Sequence, residues 1–236
     1  MLPWNAEELT IDEERFNGTV RLFPLPDLVM FPHVMQPLHI YEPRYRDLLN
    51  AALDSDGLIA MSLLATGWES DYEGRPAILP HACLGKVVTH QRQDDGHYNV
   101  LLLGLRRIRI DSELPPVRSY REAKVTLLDD FCYSENDDRR DALQTQLTEK
   151  FQECLPDGQP TSPGVHELLA SEIPLGVLTD LVSFAVPLDL KTKSRLLSEV
   201  DIDRRAKMLL RELQQSDNPG PQTSRGGGYL PPFSTN

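Results

Sequence analysis

Hydrophobic positions in the first half of the chain fall into short runs punctuated by proline and glycine, and in the second half they recur at helical spacing. The opening example is Phe23-Pro24-Leu25-Pro26-Asp27-Leu28-Val29-Met30-Phe31-Pro32, followed by Pro37-Leu38-His39-Ile40-Tyr41-Glu42-Pro43-Arg44-Tyr45. Proline fixes φ and lacks an N–H, so it sits at strand starts, edges and turns. These apolar stretches therefore read as short strands with abrupt changes of direction. Pro43 then opens a helical pattern in which Tyr45, Leu48, Leu49, Ala52 and Leu53 share a face. Gly57 is placed to end that helix in a left-handed conformation. Leu58–Leu64 is a continuous apolar run of strand length, read as a buried strand.

The strand-rich region extends to about residue 130. Asp94-Asp95-Gly96 is a hairpin turn joining Leu84–Gln91 to His97–Leu103, and Pro115-Pro116 ends the next strand. Gly67 to Pro80 is polar, with Trp68 and Tyr72, and reads as a long loop. From 131 to 215 the period changes to that of a helix: Leu143, Leu147, Phe151 and Leu155 form one stripe. A second helix is predicted over Leu175–Ala185, a short one from Asp189 or Leu190, and a last one capped by Asp201, with Ala206, Leu209, Leu210 and Leu213 inward. Residues 1–17 are acidic and weakly patterned, so a flexible arm is expected, with Trp4 able to dock. Residues 216–236, with Asn218-Pro219-Gly220-Pro221 and three consecutive glycines, are expected to be disordered.

Composition narrows the class. The chain has 236 residues, of which 40% are hydrophobic, and a formal net charge of −12. That charge disfavours nucleic acid, whose affinity comes chiefly from Lys and Arg on phosphates. The densest basic cluster is Arg106-Arg107-Ile108-Arg109; alternation along a strand puts Arg107 and Arg109 on one face, expected to be a solvated outer one. No apolar stretch reaches the roughly 18 residues of a membrane span. The acidic start does not resemble a signal sequence. Three widely spaced cysteines, Cys83, Cys132 and Cys154, fit a reducing cytoplasm rather than a disulfide framework.

The same apolar motifs resemble the N-terminal, substrate-binding domain of the Lon proteases. The likeness begins with the proline-rich run and continues through Gly85-Lys86-Val87-Val88. It is most specific in Tyr98-Asn99-Val100-Leu101-Leu102-Leu103-Gly104-Leu105-Arg106-Arg107-Ile108-Arg109-Ile110. It runs on through Tyr120-Arg121-Glu122-Ala123-Lys124-Val125 to Asp201-Ile202-Asp203-Arg204-Arg205, covering about residues 20 to 215 in order. The resemblance implies an α+β fold: a small, partly open β-barrel of about six strands, similar to pseudouridine-synthase-associated domains, with one helix, followed by a C-terminal helical bundle. It implies a stand-alone, non-catalytic module that binds unfolded or degron-bearing polypeptide, by itself or as an adaptor to a protease or chaperone. An RNA-binding module of the related barrel type is one alternative. Another is an adaptor for a small ligand or partner protein, since a eukaryotic ubiquitin-ligase subunit contains a similar domain.

No catalytic residue, cofactor or metal is assigned. A phosphate-binding loop needs successive backbone N–H groups and a hydroxyl after the lysine, and Gly85-Lys86 supplies neither the upstream glycine nor the hydroxyl. Ser162 sits in Pro160-Thr161-Ser162-Pro163-Gly164, which loosely resembles a peptidase nucleophile loop. A serine nucleophile requires a positioned base, and no lysine-bearing peptidase fold is read after it. His81-Ala82-Cys83 lacks the paired spacings of a zinc site, and Cys83 is expected in the core. His33, His39 and His90 are scattered. The candidate polypeptide-binding residues are Met35, Tyr41, Met61, Trp68 and Tyr72. Flexible methionines and rigid aromatics suit loosely specific apolar recognition, here expected where the strand-rich and helical parts meet.

Overall fold

The computed structural model describes residues 10–132, 137–153, 173–216 and 234–235. Backbone contacts divide the chain into two compact units, Met1–Asp129 with Leu230–Asn236, and Asp130–Tyr229.

The first unit is built from β1 (Thr19–Leu25), β2 (Met35–Ile40), α1 (Pro43–Leu53), β3 (Leu58–Leu64), β4 (Ile78–Arg92), β5 (Tyr98–Glu113), β6 (Arg121–Leu128) and the two-residue β7 (Ser234–Thr235). Strand pairings run β4-β3-β1-β6-β5-β2-β7, and β4 also pairs with β5, so five strands form a continuous circuit with β2 and β7 outside it. The expected partly open barrel of about six strands is thus a mixed sheet: β1 and β3 are parallel and the other pairings of the circuit antiparallel. Parallel pairing requires a crossover, which β2 and α1 supply.

Period-two alternation explains the interior. Val20 and Leu22 of β1, Leu58 and Ala60 of β3, Ala82 and Leu84 of β4, Ile108 of β5, and Ala123 and Val125 of β6 form one buried cluster. Each large side chain there contributes roughly 1.5–3 kcal/mol by leaving water. The other faces of β1 and β3 pack under α1, where the rings of Phe23 and Tyr45 stack with centroids 4.2 Å apart. β3 is buried along its whole length, because it is covered on both faces. Gly57 ends α1 as predicted, at φ 69° with its N–H donating to the Ala52 carbonyl at 2.8 Å.

β4 and β5 are longer than the predicted hairpin arms. The Asp94–Gly96 turn is in place, closed by the Gln93 N–H on the His97 carbonyl at 2.8 Å. On the side away from β4, β5 pairs with β2 through Leu103 and with β6 from Arg107 onward. Gly104 lies at this change of neighbour. Its N–H donates to Val34 and its carbonyl accepts from His33, both at 2.8 Å. A Cβ at this position would lie 2.1 Å from the Phe31 carbonyl oxygen, so only glycine lets the two backbones approach.

Three expectations for this unit are corrected. The arm is seated from Thr10 onward: Ile11 and Phe16 pack against the inner cluster, and Glu13 pairs with Arg106. Trp4 lies outside the described residues. Arg107 is buried rather than on a solvated face: its partner across β4–β5, Cys83, shares its face and is itself fully buried, while Ile108 is buried on the opposite face, so β5 is covered on both sides here. The 67–80 loop contains a 3-10 turn at Trp68–Asp71 and passes into β4 at Ile78.

The second unit contains α2 (Asp137–Glu153), α3 (Leu175–Ala185), α4 (Leu190–Ser198) and α5 (Ile202–Ser216), with α5 touching the other three. Asp189 caps α4 by accepting the Thr192 N–H at 2.9 Å, and Asp201 accepts the Arg204 N–H at 3.1 Å. Leu143 and Leu147 of α2 are buried, with Leu209 and Leu213 of α5. Arg205 is completely buried. It bonds Asp130, lies 3.4 Å from the fully buried Asp180, and donates to Thr179 Oγ1 at 3.1 Å and the Glu199 carbonyl at 2.7 Å. The helical stripe could not foretell this cluster, since Arg205 follows a charged residue at a helix start. Leu155, the Ser162 loop and the tail through Phe233 lie outside the described residues.

Candidate functional site

Strand β2 carries the most exposed large apolar side chains of the first unit's sheet edge. Met35 at its start and Tyr41 just past its end are each 40% exposed. One side of β2 is paired antiparallel to β5. The other receives β7 in parallel register, Leu38 opposite Ser234 and His39 opposite Thr235. This edge therefore holds an extended segment by backbone pairing, the geometry of strand addition. Tyr41 lies in a small ring cluster with His39 and His97, at centroid distances of 6.3 and 6.0 Å.

Past Tyr41 the chain enters α1, where a second feature begins. The Arg44 guanidinium lies 4.9 Å from the ring centres of both Tyr45 and Tyr72. It also pairs with Glu42 at 2.8 Å, and Glu42 accepts the Tyr72 hydroxyl at 2.7 Å. Trp68 meets Tyr72 edge-on at 5.5 Å. The series Phe23, Tyr45, Arg44, Tyr72, Trp68 thus forms one continuous stack from the sheet to the surface. Burial, then the bond to Glu42 and its charge, push the Tyr72 hydroxyl up to about 12. Burial likewise raises Tyr45. Both phenols stay protonated at any working pH, so they serve as donors and contact surface rather than as bases.

Beside this stack lies a cleft of about 230 Å³. Its deeper wall is apolar and aromatic: Leu22, Pro24, Tyr45, Leu64 and Tyr120 line it. Arg44, Arg75, Arg118 and Arg121 also line it, with Glu73. Arg121 is held by both oxygens of Glu113, at 2.8 and 2.5 Å, and by the Pro76 carbonyl at 2.8 Å.

The predicted residues divide accordingly. Trp68 and Tyr72 are brought together, and Tyr41 is next to Glu42, which binds Tyr72. Met35 lies at the other end of β2, opposite Leu103. Met61 is corrected: it is 2% exposed, in a strand paired on both sides, and has no surface to offer a ligand. Sequence reasoning missed the arginines of the cleft. The only signal was Glu42-Pro43-Arg44-Tyr45, charge and aromatic together at a helix start.

The basic strand is neutralised locally. Arg106 bonds Glu13 and Asp129, and Arg109 pairs with Asp111 at 2.9 Å. Cys83 is fully buried, as expected. Among the described residues, no group of three or more His, Cys, Asp or Glu is placed to hold a metal, and no helix is long and apolar enough to cross a membrane.

Residues 19–215 match the sequence model of the ATP-dependent protease La (LON) substrate-binding domain. The chain belongs to this family. It is 24% identical over 214 residues to a Lon protease of Desulfosudis oleivorans, covering 86% of this chain and 25% of that protein. It is 25% identical over 191 residues to the Lon protease of Escherichia coli K12, covering 81% and 24%. The chain thus spans about a quarter of the length of these curated relatives. Two solved structures share the fold. The N-terminal domain of Mycobacterium avium complex Lon protease superposes with a TM-score of 0.66 at 17% identity, covering 83% of this chain and 98% of that one. A Lon N-terminal domain protein from Xanthomonas campestris superposes with a TM-score of 0.60 at 21% identity, covering 82% and 97%. Membership of a substrate-binding family makes the chain a substrate-recognition module.

Proposed function

We propose that this module is non-catalytic and binds unfolded or degron-bearing polypeptide in the cytoplasm, alone or as an adaptor to a protease or chaperone. The bound chain takes the place of β7 on the outer edge of β2, and its apolar side chains contact Met35, Tyr41 and the Trp68–Tyr72 pair. The observation that carries this reading is β7 on β2: that edge already accepts an extended segment through backbone bonds. A segment paired parallel to β2 is directed towards Tyr41 and the first turn of α1. Neutralisation of Arg106 and Arg109 and burial of Arg107 weigh against the RNA alternative, which needs uncommitted cations on a surface.

The test is fluorescence anisotropy with a labelled, reduced and carboxymethylated model protein. Met35→Ser with Tyr41→Ser is expected to weaken binding about three- to tenfold, the range for losing partly exposed apolar contacts. Trp68→Ala, with folding checked by circular dichroism, is expected to weaken it by a similar factor. Unchanged affinity in both variants, with intact folds, would remove β2 and the Trp68–Tyr72 pair from the site.

A further inference from the structure

The cleft beside α1 has two properties that together specify an occupant. The first is size. About 230 Å³ is below the roughly 300–1,000 Å³ of small-molecule sites, and suits one amino-acid side chain. Its deep wall, with Leu22, Tyr45 and Leu64 almost fully buried, is apolar. The second is charge at the mouth. Arg44 and Arg121 are saturated by Glu42 and Glu113. Arg75 and Arg118 are exposed and make no ion pair among the described residues. Glu73 is the one carboxylate that lines the cleft with them. The uncommitted lining charge is therefore two guanidiniums against one carboxylate, on a protein whose net charge is −12. Val117, 85% exposed, lies in the chain between the lining residues Pro116 and Arg118.

We infer that this cleft is a side-chain pocket for an extended polypeptide in which an apolar residue is followed by a carboxylate, the apolar group against Tyr45 and Leu64 and the carboxylate on Arg75 and Arg118. Guanidinium presents paired donors that match the two oxygens of a carboxylate. The pocket rests on the polypeptide-recognition reading and deepens it: it assigns the module a preference for acidic segments. That preference opposes the field of the whole molecule, since a net charge of −12 favours basic chains. Acidic selectivity can therefore come only from a local cationic site.

The experiment uses the full chain and three short labelled peptides differing at one position, Leu-Asp, Leu-Asn or Leu-Lys, within an otherwise uncharged sequence. Anisotropy is expected to rank them Asp, Asn, Lys, with the first roughly three- to tenfold tighter than the last, as expected for partly solvated ion pairs. Arg75→Glu with Arg118→Glu should invert the order, and Arg75→Lys with Arg118→Lys should keep it. Both positions are exposed, so these variants retain the fold. Equal binding of the three peptides, or tightest binding of Leu-Lys by the unaltered protein, overturns the pocket while leaving polypeptide recognition standing. Failure of all three peptides together with the denatured model protein defeats the general reading. A labelled mixed-sequence oligoribonucleotide that outcompetes the Leu-Asp peptide and is released by the charge reversal would assign the two arginines to phosphate, and also overturns the proposal.

Discussion

Arg205 offers the sharpest test of what holds the helical unit together. Its guanidinium is fully buried and bonds Asp130 at one end while facing Asp180 at 3.4 Å. Asp130 keeps 27% of its side-chain surface and can be rehydrated if Arg205 is lost, whereas Asp180 keeps none. Arg205→Met therefore removes the cation 3.4 Å from the buried Asp180 and the donor to the Glu199 carbonyl. Breaking a buried ion pair by removing one partner costs about 3–5 kcal/mol. The orphaned carbonyl adds about 1 kcal/mol. A loss of roughly 4–6 kcal/mol is comparable to the whole stability of many domains, about 5–15 kcal/mol. Arg205→Met combined with Asp180→Leu removes both members of the buried pair, and should recover about 2–3 kcal/mol of that loss. Urea denaturation of the full chain, followed by far-ultraviolet circular dichroism, reads both values. If the double variant is no more stable than Arg205→Met, the cost lies in lost packing and hydrogen bonds, and the charge-compensation argument is wrong.

Other expectations follow from local geometry. Gly104→Ala forces a methyl against the Phe31 carbonyl oxygen and disturbs two backbone bonds, so a loss of about 2–4 kcal/mol is expected in the urea midpoint; a loss below about 0.5 kcal/mol would show that the 31–34 segment moves freely. Burial draws the Lys193 ammonium down from 10.5 to about 8. Between those pH values the unfolded chain holds the proton and the fold does not, so stability should rise with pH through that window. Because Lys193 still donates to the Phe184 carbonyl at 2.7 Å, Lys193→Met should gain only on the order of 1 kcal/mol at pH 7 and flatten that rise; a rise that persists in the variant would assign it to another group. Hydrogen exchange should be faster in α2, where charge crowds a stripe of few buried side chains, than in the central β5 strand; equal protection would refute it.

The period of the apolar residues, the prolines and the caps determined the local elements of this protein. Pro43 and Gly57 bound α1, Leu175–Ala185 is a helix over the predicted residues, and Asp189 and Asp201 cap where a carboxylate before an apolar stripe must. These features are legible because each is decided by neighbours within a turn or two. The closure of five strands through β4–β5, the change of partner at Gly104 and the placing of β7 on β2 were not, since they depend on pairings between residues far apart in the chain. The same limit explains the site. Met61 and Trp68 look alike as apolar residues in a sequence, but one lies within the paired sheet and the other, half-buried, meets Tyr72 edge-on. Arg75 and Arg118 become a pair only when two distant loops converge on α1, and whether an arginine is free or saturated depends on which carboxylates the fold brings to it.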